Sequence, residues 1–452
     1  MSHGLSKKYG LLTAIAMVAG VVIGSGIFFK TEVVLAATGG NALIGIAALL
    51  FVGIVMMICA YTFSILAARH DHVGGVVDYA EAEVGSGYAY CVGWFAAGVY
   101  YPTVASVVLW LAGVYTCQLF GIPDPQTGGG CLVITGLYLV LIVALNGLAP
   151  ILSGKLQISA TVIKLIPLVL MAVVGIIRGV TSGTLAENFD LAGALSDADA
   201  GKLLLTACVA MAFSYEGWIV ATTINSELRD AKRTLPRALI LGSIIVVAVY
   251  VLYYLGITGS ITVPELLEHG SARAFENVFG AVVGRLLLLF VVVSCLGTCN
   301  GLIAAGSRGI YALAARNEGP APDLFRQVDQ RTGMPHNSVL FGAMMVAFWV
   351  FFYYGGPLSG WFGVLSFDSS ELPIVSLYAS YIPIFVMMMK REKGLHPVKR
   401  YVMPVLAILS CLFIVGAAVA SHGVDVLWYL LVFAVIMAIG LLLRGKGYRK
   451  LD

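Results

Sequence analysis

Long apolar runs, each of a length that can cross a bilayer, recur along the whole chain. They fall at approximately 11–37, 42–68, 88–120, 131–149, 156–178, 203–225, 237–258, 281–315, 338–355, 366–389, 402–420 and 425–443, separated by short polar stretches. Barrel strands would be about half as long and would alternate strictly, so runs of this length predict helices that satisfy their own backbone groups in hydrocarbon. The pattern predicts an all-α polytopic membrane protein with 12 transmembrane helices. Two of the runs are interrupted. The first contains VVIGSGIFF, with Gly24, Ser25 and Gly26 in mid-span, and the sixth reads ACVAMAFSYEGWIVATTINSEL, with Ser214, Glu216 and Gly217 breaking its apolar course.

Composition agrees with this pattern. Of 452 residues, 60% are hydrophobic and 11% charged, and mean hydropathy is +0.94. A net charge of +3 gives no reason to expect a nucleic-acid partner. The placement of charge is more informative, because 21 of the 27 Lys and Arg fall on the side of the amino terminus and five on the other. By the positive-inside rule both termini are expected in the cytoplasm of a multi-pass plasma-membrane (cell inner membrane) protein. The first run, preceded by Lys7 and Lys8 and lacking a clear small-residue cleavage site, is expected to be a retained helix.

Eight cysteines are scattered mainly through apolar segments, with no C-x-x-C and no Cys/His cluster, so no metal and no cofactor is expected. Cys117 and Cys131 flank one outer loop and could pair, although small packing residues in helices are the plainer reading; Cys295 and Cys299 are read the same way. His70 and His72 in the first inner loop are expected to be solvated rather than metal-ligating. The absence of G-x-S-x-G and H-E-x-x-H argues against an enzyme. A channel or a nutrient receptor stays open as another class.

The two interrupted runs lie five helices apart. Because five is odd, helices 1 to 5 and 6 to 10 would run in opposite senses, as in an inverted repeat, giving units 11–178 and 203–390 with 402–443 appended. Unwound backbone at membrane depth is tolerated only where it is buried in protein or lines a cavity. Each break frees amide N–H groups on one side and carbonyls on the other, which suits the carboxylate and ammonium of an α-amino acid. Lys164 stands alone inside ISATVIKLIPLVLMAVVGII, nine residues beyond Lys155. At 1.5 Å per residue that is about 13 Å into the helix, too deep for easy snorkelling.

These motifs resemble those of the amino acid-polyamine-organocation transporters, and within them the L-type amino acid transporters and their bacterial relatives. The resemblance rests on Gly24-Ser25-Gly26-Ile27-Phe28, on Phe213-Ser214-Tyr215-Glu216-Gly217-Trp218, and on Glu227 with Lys232-Arg233-Thr234-Leu235-Pro236-Arg237. It continues through Lys164-Leu165, SCLGTCNG at 294–301, Ser307-Arg308 and Ala315-Arg316-Asn317-Glu318-Gly319, and so covers most of the chain. It implies a leucine-transporter-like 5+5 inverted repeat with helices 1 and 6 unwound. It further implies that substrate carboxylate meets N–H groups of Ser25, Gly26 and Ile27 near Gly24, and that its ammonium meets carbonyls around Ile23, Phe213, Ser214 and Glu216. Phe213 stands where the family has a gating aromatic, and Lys164 where a lysine takes the place of sodium, either as a fixed tie or as a proton carrier.

Glu216 departs from the family pattern. It could favour a cationic side chain, narrow the pocket, or pair with Lys164 or a polar neighbour. Asp368 and Glu371, in Phe367-Asp368-Ser369-Ser370-Glu371-Leu372-Pro373, are proton-coupling or gate candidates and equally an ordinary helix start. The expected function is sodium-independent secondary transport of L-amino acids by alternating access, as an exchanger. The alternative is a proton-coupled symporter or exchanger of cationic amino acids or polyamines. The partners expected are an amino acid substrate and the lipid bilayer, with proton coupling open and no obligatory protein partner.

Overall fold

The computed structural model describes residues 7, 9–24, 26–70, 74–189, 199–367, 369 and 371–445. Ser25, His72 and Asp368 lie outside the described residues. In chain order the helices are α1 Leu11–Val22, α2 Gly26–Ala37, α3 Ala42–Ala67, α4 Val76–Glu83, α5 Ser86–Phe120, α6 Gly129–Leu148, α7 Pro150–Ser182 and α8 Thr184–Asn188. There follow α9 Ala200–Ala212, α10 Ala231–Ser260, α11 Val263–Phe279, α12 Ala281–Ala315, α13 Pro322–Phe325, α14 His336–Tyr353, α15 Leu372–Arg391, α16 Met403–His422 and α17 Asp425–Leu442. Among the described residues there is no β-strand, only an isolated bridge between Tyr9 and Leu228.

Eleven of the described segments are long and apolar enough to span a bilayer. The remaining apolar stretch is divided between α1 and α2, each of 12 residues. At 1.5 Å per residue each covers about 18 Å, and only the two together approach the ~30 Å of hydrocarbon.

Burial divides the bundle into a centre and a rim. On α1 the run from Ala16 to Val22 is buried, and α12 is buried along most of its length against α5. α10 packs on α1, α3 and α7. On α6 and α7, by contrast, Leu137, Val140, Leu141, Val169, Val173 and Ile177 face outward, and α17 is almost wholly peripheral. Outward apolar faces over this many helices are stable only against lipid.

The elements depart from the sequence expectation at several points. The apolar run at 366–389 yields a helix only from Leu372: Ser369 and Glu371 ahead of it lie in turns, and Pro373 sits in the first turn, where its missing N–H costs nothing. α5 contains a π-helical turn, Ala96–Tyr100. The loop after α10 is itself helical and kinks at Gly270 (φ +71), where Ser271 N–H donates to the Glu32 carboxylate of α2 at 2.7 Å. A side chain at Gly270 would sit 2.5 Å from that carboxylate, so the close approach requires glycine.

Candidate functional site

Both breaks lie at the centre of the bundle. α1 ends at Val22, Ile23 leaves helical geometry with φ −71 and ψ 78, and α2 resumes at Gly26. In the sixth run α9 passes into a 3₁₀ turn at Phe213–Tyr215, Glu216 is extended, and Gly217 adopts φ +105. The chain then continues as 3₁₀ from Trp218 to Glu227 rather than as α-helix. A 3₁₀ run of this length is uncommon and marks a strained or hinge-like segment.

The carbonyls freed by the first break are claimed by side chains from three other helices. Lys164 Nζ, on α7 and wholly buried, donates to Gly20 O at 2.6 Å, Ile23 O at 2.6 Å and Ser294 O at 3.3 Å. Ser294 Oγ donates to Ile23 O at 3.1 Å, and Thr298 Oγ1 lies 3.1 Å from Val21 O and 3.3 Å from Gly20 O. The hydroxyl of Tyr250 lies 2.9 Å from Val22 O and 2.8 Å from Ser214 O, so one side chain of α10 ties both breaks.

Backbones approach closely here because of glycine. A Cβ on Gly20 would meet Thr161 Oγ1 at 2.1 Å, and one on Gly26 would meet Ser214 Oγ at 3.1 Å. At Gly217 a Cβ would meet Val21 Cγ1 at 2.7 Å in addition to the positive φ. Between the breaks lies a small cavity bounded by Gly24, Gly26, Phe213, Ser214 and Glu216 together with α5 and α12 residues Val104, Val108, Thr298 and Leu302. Glu216 is buried and accepts a short hydrogen bond from Tyr100, the last residue of the π turn. π-Bulges inside α-helices occur often at functional sites, and this one aims a phenol at the second break.

The residues singled out from sequence therefore separate into groups. Gly24, Gly26, Phe213, Ser214 and Glu216 line the cavity. Ile27 is buried, and the Ile23 carbonyl accepts from both Lys164 and Ser294. Lys164 bonds carbonyls, and Glu216 has its partner in Tyr100, so the option of a Lys164–Glu216 pair is not what the geometry forms. Phe213 also walls a second, mostly apolar cavity that includes Cys208, Glu371, Ile374 and Phe413, with Lys30 Nζ 5.8 Å from its ring centroid. Glu371 sits outside the central cavity and pairs with His422 Nε2 of α16 at 3.0 Å.

On the face of the bundle that carries Tyr9, the amino-terminal segment is strapped across the second broken run. Tyr9 N–H donates to Glu227 O at 3.0 Å, Arg229 N–H to Tyr9 O at 2.9 Å, and the buried Glu227 and Arg308 form an ion pair. Sequence does not single out Tyr250, Tyr100, Val104 or Val108. Ser294 and Thr298 do carry a signal, since they stand four apart on one face of an apolar helix, within SCLGTCNG.

Residues 9–442 match the amino acid permease family. The chain is 27% identical over 430 residues to the serine/threonine exchanger SteT of Bacillus subtilis (strain 168), covering 93% of this chain and 92% of that protein. It is 28% identical over 431 residues to the human b(0,+)-type amino acid transporter 1, covering 92% and 83%. To the human cystine/glutamate transporter it is 25% identical over 339 residues, 74% of this chain and 66% of that protein. These relatives are transporters, not enzymes.

Proposed function

This chain belongs to the amino acid permease family, and from that premise we propose that it is a sodium-independent exchanger of small neutral L-amino acids working by alternating access. The observation that carries the proposal is the meeting of two broken helical runs at one cavity, with Lys164 Nζ occupying the carbonyls of Gly20, Ile23 and Ser294. A cluster of carbonyl oxygens of this kind would suit a bound sodium ion, and a tethered ammonium supplies the same positive charge without one. The carboxylate of the substrate meets the amide groups at the start of α2, around Gly26. With Ile23 already engaged, the substrate ammonium turns to the second break, around Phe213 and Ser214. The valine and leucine walls contributed by Val104, Val108 and Leu302 favour a small uncharged side chain.

In this scheme α1 with α2 forms a twelfth crossing, 11–178 and 203–390 are inverted repeats, and 402–443 is appended. Phe213, between the central and second cavities, is the gate on one side, and the Tyr9 strap with Glu227 and Arg308 closes the other. Both termini are cytoplasmic and the protein resides in the plasma membrane. SteT is named a serine/threonine exchanger, which supports both the exchange mode and the small substrate.

The test is uptake of labelled amino acids into proteoliposomes. Uptake is expected to require an internal amino acid and to be unchanged when choline replaces sodium. Sodium-driven uptake into empty liposomes would overturn the proposal. One observation favours a second reading: the Glu216 carboxylate on the cavity wall suits a cationic amino acid or a polyamine, or a proton. Competition by arginine or spermidine stronger than by serine or threonine would select it.

A further inference from the structure

Away from the central cavity, on the face that carries Tyr9, three ends of elements converge on one cluster. His70 follows the end of α3, Glu83 is the last residue of α4, and Glu392 caps the end of α15. One ligand atom from each lies within 4.8 Å of the other two. Glu83 is 1% exposed, and its Oε2 has no hydrogen-bond partner among the described residues. Arg69 serves Glu392, Nη1 to Oε2 at 2.5 Å, while the neighbouring Arg391 is directed to the Ala82 carbonyl at 2.8 Å. The carboxylates of Glu83 and Glu392 lie within hydrogen-bond reach of each other, with the charges of Arg391 and Arg69 both close enough to act on Glu83. A buried carboxylate in that position is costly unless a cation or a shared proton lies between the pair.

We propose that His70, Glu83 and Glu392 form a binding site for a divalent transition-metal ion of the zinc type. An imidazole nitrogen with two carboxylate oxygens is a donor set that zinc accepts, leaving a fourth position for water, whereas calcium and magnesium prefer oxygen alone. Ligand atoms around one tetrahedral zinc stand roughly 3.4 Å apart, so a contraction of at most about 1.4 Å from the 4.8 Å limit seats the ion. The site is supported from behind: the His70 carbonyl accepts from Asn225 Nδ2 at 3.0 Å, and its ring lies 6.4 Å from that of Tyr79. Asn225 belongs to the 3₁₀ run that descends from Gly217, so the ion would join α3, α4 and α15 beside the segment that carries the second break. Arg69, 40% exposed, is free to swing to solvent when the ion enters.

The experiment uses full-length protein in nanodiscs with any polyhistidine tag removed, titrated with Zn²⁺ against a chromophoric chelator and with Co²⁺ followed by its visible absorption bands. One equivalent of Zn²⁺ is expected, with intense Co²⁺ bands in the wild type, a Zn²⁺-dependent rise in melting temperature, and affinity at least about tenfold weaker in Glu83→Gln and His70→Ala. Glu392→Gln carries the same readouts should Glu83→Gln not fold. Wild-type protein that binds no zinc, as when a proton bridges Glu83 and Glu392, would overturn the proposal. So would undiminished one-equivalent binding in Glu83→Gln or, in its place, Glu392→Gln.

Discussion

At the scale of single residues, the site depends on who satisfies the broken backbone. Replacing Lys164 with alanine removes one buried charge and leaves the Gly20 and Ile23 carbonyls short of their principal donor, at about 1–3 kcal/mol for each unsatisfied group. Lys164→Ala is therefore expected to lose exchange by tenfold or more while keeping residual substrate binding; wild-type rates in proteoliposomes would discard Lys164 as the tie between α7 and α1. Tyr250→Phe deletes only a hydroxyl. Its expected cost is about 1 kcal/mol of stability together with a several-fold slower exchange, read as a lower melting temperature alongside initial uptake rates. For Glu216→Gln the Tyr100 hydrogen bond is kept and the charge is lost. A shift in the order of competing amino acids is expected in a twenty-amino-acid panel with polyamines included, and an unchanged order would remove Glu216 from the substrate's surroundings.

At the scale of elements, two devices make the breaks: glycine where backbones touch, and 3₁₀ or π geometry where a helix must turn a side chain inward. Gly217→Ala places a Cβ against Val21 in a backbone conformation that L-residues rarely adopt, for a cost of about 1–3 kcal/mol. Gly98→Ala, in the π turn but with open space around it, serves as the control. Reduced yield and melting temperature in the first and near-normal values in the second are expected by fluorescence-detected size exclusion. The all-helical membrane fold, and the glycines where the first and sixth apolar runs leave helical geometry, were legible in sequence because apolar length and glycine are local signals. Tyr250 and Tyr100 were not, since a tyrosine in an apolar run looks the same whether its hydroxyl faces lipid headgroups or a carbonyl many residues away. His70 looked like part of a solvated loop for the same reason: its neighbours Glu83 and Glu392 come from other elements, one of them more than 300 residues along the chain.

At the scale of the whole molecule, the charge bias gives a directional prediction. Asp124→Cys, exposed in the loop after α5, is expected to react with a membrane-impermeant thiol reagent in intact cells, and Lys393→Cys, exposed after α15, only after permeabilisation. The native cysteines give little background, seven being buried and Cys91 partly so. Reversed labelling would invert the proposed topology. The proposed alternating access also asks two broken runs to move apart and together many times without losing stability at each turn. The Tyr250 hydroxyl has a single hydrogen and two carbonyl oxygens in reach, one on each run. Rotation about its C–O bond hands that hydrogen from one to the other, so in the proposed cycle a tilting half-helix leaves behind a turned phenol in place of a severed bond, and the joint acts as a swivel.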